Sequence, residues 1–204
     1  MNRKGNLIVV SGPSGAGKDT VVGRLFEIHN GDDIHLSVSA TTRSPRPGEV
    51  DGVSYYFLTK EAFEQKVSDG GFIEWATFCD NMYGTLRDKV CDHLENGIDL
   101  ILVIEVQGAM QVKKMYPDAT LVFLLCPSFE EQKQRLINRN TEPVDVIEQR
   151  IATARKEVEY ADNYDYVIIN HDINESAREL DSIIISERLK IKNNIKIIEE
   201  VRKS

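Results

Sequence analysis

Residues 11–20, SGPSGAGKDT, constrain this chain more than any other stretch. They follow an apolar run at 7–10 and precede an amphipathic segment, which gives the order strand, glycine loop, helix. The spacing of Gly12, four residues, Gly17 and Lys18 is that of a phosphate-binding loop. Small residues there let consecutive backbone N–H groups turn inward onto a polyphosphate while the lysine reaches its terminal phosphates. One position departs from the pattern. A Ser or Thr is expected directly after the lysine to help hold Mg²⁺, and the chain has Asp19, with the hydroxyl moved to Thr20. A glycine-rich turn that binds nothing is the alternative, and the preceding strand and the enclosed lysine argue against it.

With 204 residues, 41% of them hydrophobic and 28% charged, the chain is long enough to bury a sizeable core, and one large domain with an insertion is expected. A net charge of −8 argues against nonspecific binding to nucleic acid, so any anionic ligand needs a local basic pocket working against the overall field. Cys79, Cys91 and Cys126 are odd in number and form no CxxC pair, which fits a reducing compartment and neither a disulfide framework nor a zinc site. His29, His35, His93 and His171 are scattered. No apolar run approaches the ~18 residues of a membrane span and no signal peptide is recognisable, so a cytoplasmic location without membrane association is expected.

Apolar runs of strand type recur at 7–10, 100–106, 121–125 and 166–169. They are continuous rather than alternating, as a parallel sheet covered on both faces requires. Helical stretches lie between them at 20–27, 86–94, 108–115, 130–137, 144–159 and 175–189, so the fold class is α/β, with a parallel sheet flanked by helices. From residue 41 to about 85 this rhythm breaks. The segment is rich in Gly, Pro, Arg and aromatics, with short strand candidates at 54–58 and 72–78 around a helix at 60–67, and reads as an inserted substrate-binding lobe of mixed α+β character. The tail at 193–204 reads as a helical or frayed extension.

Within the insertion, Arg43 and Arg46 sit in a turn stiffened by Pro45 and Pro47, which lowers the entropic cost of aiming two long side chains at one anion. An arginine fork grips phosphate oxygens through two parallel hydrogen bonds. A solvated loop is the bland alternative, and the hydroxyls of Tyr55 and Tyr83 weigh against it. Glu74 lies in the apolar segment FIEW, where a carboxylate is costly unless it meets donors. A guanine edge supplies two adjacent ones, N1–H and the 2-amino group, and adenine lacks that pair. A wrong base would leave the carboxylate unpaired, which rejects an analogue more strongly than a missing methylene does. The alternative is strand alternation with Glu74 facing water.

These segments in this order, SGPSGAGKDT, SVSATTRSPRPGEVDGVSYYF, FIEW, MYGT, VQGAMQVKK, RNTEP and VIIN, resemble the guanylate kinase family, nucleoside monophosphate kinases that phosphorylate GMP from ATP. The resemblance runs from about residue 7 to 189. It implies a P-loop core (5–40 and 86–190), a mobile GMP-binding lobe (41–85), a short lid (138–150) and a C-terminal extension (191–204) in one domain. It also implies that Arg43, Arg46, Tyr55 and Tyr83 hold the GMP phosphate, that Ser39, Glu74 and Thr85 read guanine, and that Glu105 belongs to the GMP side. Gly12, Pro13, Ser14, Gly15, Ala16, Gly17, Lys18, Asp19 and Thr20 would bind ATP, with Asn170 where the family contacts adenine. Lys18, Arg43, Arg135, Arg139 and Arg150 would be catalytic. Mg²⁺ would accompany ATP, held mostly through water and phosphates, with Asp19 or Thr20 as protein contacts.

Three departures stand out: Asp19 for Ser or Gly, Glu105 for the usual aspartate, and Asn140 for a lid glycine. An ionised GMP phosphate oxygen needs no general base, so positioning and charge neutralisation carry the reaction, with lobe closure to exclude water. Two rivals share the scaffold. One is a ribose 1,5-bisphosphate kinase-like enzyme, whose relatives also carry Asp after the loop lysine. The other is a non-catalytic binding module, in which the phosphate loop is typically eroded. Oligomeric state is left open.

Overall fold

The computed structural model describes residues 3–78, 80–138 and 143–204. The first part of the chain forms β1 (Leu7–Ser11), α1 (Lys18–Ile28), β2 (Ile34–Leu36), β3 (Ala40–Thr41) and β4 (Tyr56–Phe57). It continues through α2 (Lys60–Ser68), β5 (Phe72–Phe78), β6 (Asn81–Leu86), α3 (Arg87–Glu95), β7 (Asp99–Val103) and α4 (Val106–Met115). Then come β8 (Thr120–Leu125), α5 (Phe129–Asn138), α6 (Val144–Glu157), a 3₁₀ segment (Val158–Asn163), β9 (Tyr166–Ile169), α7 (Ile173–Leu189) and α8 (Ile191–Lys203).

Five of these strands make one sheet in the order β2-β7-β1-β8-β9, with every neighbouring pair parallel. The central strand β1 is buried along its whole length. Ile8 and Val10 pack with Val22 and Leu25 of α1 and Leu180 and Ile184 of α7. Leu7 and Val9 pack on the opposite face with Val90 and Leu94 of α3 and Ala109 and Val112 of α4. A strand covered on both sides favours aliphatic residues, and each such side chain so buried contributes roughly 1.5–3 kcal/mol. The chain leaves β1 toward β2 on one side, while β7 leads through α4 to β8 on the other. Such a divergence opens a crevice above the carboxyl end of the central strand.

A second, four-stranded sheet has the order β4-β3-β6-β5 and mixes a parallel pair with two antiparallel ones. Its own small core gathers Ala40, Phe63, Phe72, Met82 and Leu86, with the Phe63 and Phe72 rings stacked 4.2 Å apart. Gly84 lets β6 lie against β5, since a Cβ there would stand 2.8 Å from the Glu74 carbonyl oxygen. The α/β class with a parallel sheet and a mixed second sheet is as the sequence implied. The strand expected at 100–106 stops at Val103, however. Val106 already belongs to α4, where it extends the apolar stripe of Ala109 and Val112. β2, β3 and β6 were not foreseen, and the tail is a regular helix none of whose side chains is buried. Among the described residues no helix is long and apolar enough to cross a membrane.

Candidate active site

At the carboxyl end of β1 the backbone takes conformations that demand glycine: φ is 141° at Gly12, 88° at Gly15 and 95° at Gly17. A Cβ on Gly12 would lie 2.2 Å from the carbonyl oxygen of Leu124, so the loop passes β8 only because it carries no side chain there. Lys18 is the first residue of α1 and is nearly buried. Its ammonium donates to the Gly12 carbonyl at 2.6 Å and stands 3.5 Å from Glu105 Oε1. The carbonyl offsets the desolvation of the ammonium without cancelling its charge. The positive end of α1 and a fixed cation therefore converge inside one loop. Asp19 and Thr20 follow on the exposed first turn.

Three side chains from distant elements brace this loop directly, and a fourth braces one of them. Gln132 Nε2 donates to the Ser14 carbonyl at 2.6 Å, and Asn170 Nδ2 to the Ala16 carbonyl at 2.8 Å. Arg150 donates to Ser14 Oγ at 3.0 Å, and Arg135, paired with Glu131, donates to the Asn170 carbonyl at 2.7 Å. A cleft of about 450 Å³ opens beside them, lined by Gly15, Gly17, Thr20, Arg135, Asn138 and Asn170. Arg150 thus reaches the loop itself, and Arg135 lines the cleft beside it. Arg139 and Asn140, at the start of the expected lid, lie outside the described residues. Asn170 lines the cleft, yet its buried amide is directed into the loop and accepts from Ser176 Oγ at 3.3 Å.

The second group centres on Glu74 in β5. Its carboxyl is buried, and Thr85 Oγ1 donates to Oε1 at 2.6 Å. Burial pushes its pKa above the usual carboxylate range, with the Thr85 hydrogen bonds opposing. The alternative of a solvent-facing Glu74 is excluded. Pairing between β5 and β6 slips between Phe72 and Glu74, so Phe72, Ile73 and Glu74 are buried in succession. Arg43 forms a two-armed pair with Glu49, at 2.8 and 3.0 Å, and lies over the Tyr55 ring at 5.3 Å. That pair holds the Glu49 carboxyl below its ordinary pKa. Tyr55 and Tyr83 rings meet edge to face at 6.3 Å. Arg46 is exposed, its backbone N–H donating to Glu49 at 2.7 Å, and half-buried Ser39 accepts from the Tyr56 amide.

A family model described as guanylate kinase matches residues 4–187. The chain belongs to the guanylate kinase family. The guanylate kinase of Clostridioides difficile (strain 630) is 48% identical over 198 residues, covering 97% of this chain and 96% of that relative. The guanylate kinase of Oceanobacillus iheyensis is 47% identical over 190 residues, with 93% and 91% covered. A crystal structure of guanylate kinase from Anaplasma phagocytophilum aligns at a TM-score of 0.76 with 32% identity, covering 98% of this chain and 96% of that one.

Within this guanylate kinase fold the two groups are joined by α4. Glu105 precedes its first turn beside Lys18, and Gly108, one turn on, lies against the Glu74 carboxylate. Sequence reasoning missed Gln132, Glu157, Gly108 and Gln111. Gln132 had a signal, since it is a polar residue sharing the core-facing side of α5 with Leu136. Glu157 had none. Burial raises its pKa, and the charge of Glu105 adds to that while Lys18 opposes it.

Proposed function

We propose that the protein transfers the γ-phosphoryl group of ATP to GMP, and to dGMP, giving ADP and the nucleoside diphosphate. The observation that carries this reading is the buried Glu74–Thr85 pair, joined through α4 to a loop whose buried lysine is held by the Gly12 carbonyl and meets the exposed Glu105 carboxylate at 3.5 Å. Guanine N1–H and the 2-amino group donate to Glu74, with Ser39 and Thr85 beside it. Arg43, Arg46, Tyr55 and Tyr83 take the GMP phosphate. That anion competes with Glu49 for the Arg43 fork, so the lobe is rearranged by its own substrate.

The loop amides from Gly12 to Thr20, together with Lys18, hold the ATP phosphates, and Arg135, Arg139 and Arg150 gather around the group in transfer. Asn170 lines the cleft for adenine while bracing Ala16. An oxygen of the GMP phosphate is the nucleophile. It is ionised near neutral pH, so the protein's task is to bring two anions into line and exclude water.

Among the described residues no three His, Cys, Asp or Glu side chains form a metal cluster, and Asp19, Thr20 and Glu105 are exposed at the loop. This donor set fits an ion bound chiefly through phosphate oxygens and water rather than by a protein cage. Asp19 and Thr20 would contact the Mg²⁺ that accompanies ATP. When bound, it supplies charge neutralisation across the phosphates. The scattered cysteines support a cytoplasmic enzyme.

The test is a coupled ADP-release assay across GMP, dGMP, AMP, CMP, UMP and ribose 1,5-bisphosphate. GMP and dGMP should be turned over, and Glu74→Gln should lose on the order of ten- to hundredfold in kcat/KM for GMP. Equal rates with AMP and GMP would remove the role given to Glu74, and a preference for ribose 1,5-bisphosphate would replace the reading.

A further inference from the structure

We infer that Gly108 sets base selectivity by leaving vacant the space that one oxygen of the Glu74 carboxylate occupies, and that Gln111 fixes the strand carrying that carboxylate. This goes one step past the assignment of Glu74 to guanine and rests on it.

Helix α4 buries Val106, Ala109 and Val112 against the central sheet. Glu105, Gly108 and Gln111, three residues apart, follow another side of the same helix. Each meets a different part of the site. Glu105 lies beside Lys18. Gln111 clamps β5 from both sides of one residue, accepting from the Trp75 amide at 3.2 Å and donating to the Trp75 carbonyl at 3.1 Å. Gly108 is buried, and its backbone angle is an ordinary helical one, so no turn requires glycine there. A helix interior favours alanine over glycine. What excludes a side chain is Glu74, because a Cβ on Gly108 would stand 2.9 Å from its Oε2, closer than a real carbon is tolerated.

The two carboxylate oxygens are therefore fixed from two directions. Thr85 holds Oε1, and the bare Cα of Gly108 gives Oε2 its seat. A guanine edge presents two parallel donors and needs both oxygens in one plane. A methyl group at position 108 would turn Oε2 aside while Thr85 kept Oε1, leaving a single contact. The far end of a glutamate side chain moves cheaply, so the fold would survive and the geometry of recognition would not.

The experiment compares Gly108→Ala with the unchanged full chain by calorimetric titration with GMP and with inosine monophosphate, which lacks the 2-amino group. Steady-state kinetics and thermal melts complete the comparison. The Kd and KM for GMP should rise on the order of ten- to hundredfold, the preference for GMP over inosine monophosphate should shrink, and kcat and the ATP KM should stay close to their original values. Tm should be unchanged or higher, as expected when alanine replaces a helical glycine. Adding Glu74→Asp, whose shorter side chain withdraws from the methyl, should cost less in the Gly108→Ala background than alone. Gln111→Leu should raise the GMP KM less strongly, with part recovered in Gln111→Glu, which keeps the acceptor for the Trp75 amide.

Unchanged GMP affinity in Gly108→Ala would overturn the inference while leaving the Glu74 assignment intact. Loss of the fold in that variant would also overturn it, because the glycine would then serve packing. Failure of the unchanged protein to take up GMP would sink the Glu74 assignment itself.

Discussion

The two ends of the central sheet use the same residue types in opposite ways. At the amino end Asp99, fully buried, receives both arms of Arg3 at 2.7 and 3.0 Å, the Asn6 amide at 2.7 Å and the guanidinium of Arg188. Arg188 also reaches Asp33 at 2.6 Å, Asp33 faces His29 at 2.9 Å, and the other ring nitrogen of His29 faces Asp181 at 2.8 Å. Every charge there is answered by an opposite one in close contact. At the carboxyl end the buried ammonium of Lys18 is answered by a carbonyl at 2.6 Å and by an exposed carboxylate at 3.5 Å. Dipoles satisfy hydrogen bonds without cancelling charge, so this end keeps a capacity for anions. At Lys18, charge balance rather than residue identity separates a binding group from a brace.

The largest effect that could break this contrast is at Asp99. Removing one partner from a buried network leaves the others uncompensated, so Asp99→Ala should lose about 3–5 kcal/mol in urea unfolding. Turnover per folded molecule should be retained. A variant that stayed stable, or one that folded but lost activity, would mean that the amino end is no mere brace.

Lys18→Met makes the complementary case. Its only carboxylate contact among the described residues is with the exposed Glu105, so stability should change little, while turnover should fall on the order of 10²–10³-fold in the coupled assay. Activity kept within about tenfold would remove the claim that an unbalanced cation is what the carboxyl end provides.

What could be read from the residues alone followed from how local each feature is. The phosphate loop is written in ten consecutive residues, and β1 and β8 are continuous apolar runs because both of their faces are covered, whereas β9, the edge strand, is apolar although Val167 and Ile169 are exposed. The braces on the loop were invisible: Gln132 and Asn170 act on carbonyls 118 and 154 positions away, and Arg3 meets Asp99 across 96. β6 hid because Asn81 and Gly84 read as turn residues, although Gly84 is what lets the strands touch. Glu74 was ambiguous for a physical reason. Alternation assigns a side chain to a face only while register holds, and the slip after Phe72 breaks it at that residue. Glu105 falls inside the apolar run at 100–106, whereas the strand ends at Val103 and Glu105 precedes α4 without a side-chain capping bond, because Val106 serves either period.

The smallest effect sharpens the contrast through pH. Burial opposes charge on His29, but the carboxylates of Asp33 and Asp181 outweigh it, so its pKa is raised above 6.5. A group whose folded pKa lies above its unfolded value contributes stability that is fully present below about pH 6.5 and is lost as pH climbs through the raised value. The Asp33 carboxyl, also opposed by burial, is held below 3.8 by His29 and Arg188, so its contribution is present above that pH and fails only on the acid side. Between these limits His29 and Asp33 are both charged and face each other as a pair. Thermal melts should therefore decline by a few degrees at most from pH 6 to pH 8, and His29→Asn should flatten that decline without altering turnover. The acid limb set by Asp33 would persist in shallower form, since Arg188 remains. If His29→Asn instead shifted the pH profile of kcat, the two ends of the sheet would be electrostatically coupled, and the separation of brace from site would no longer hold.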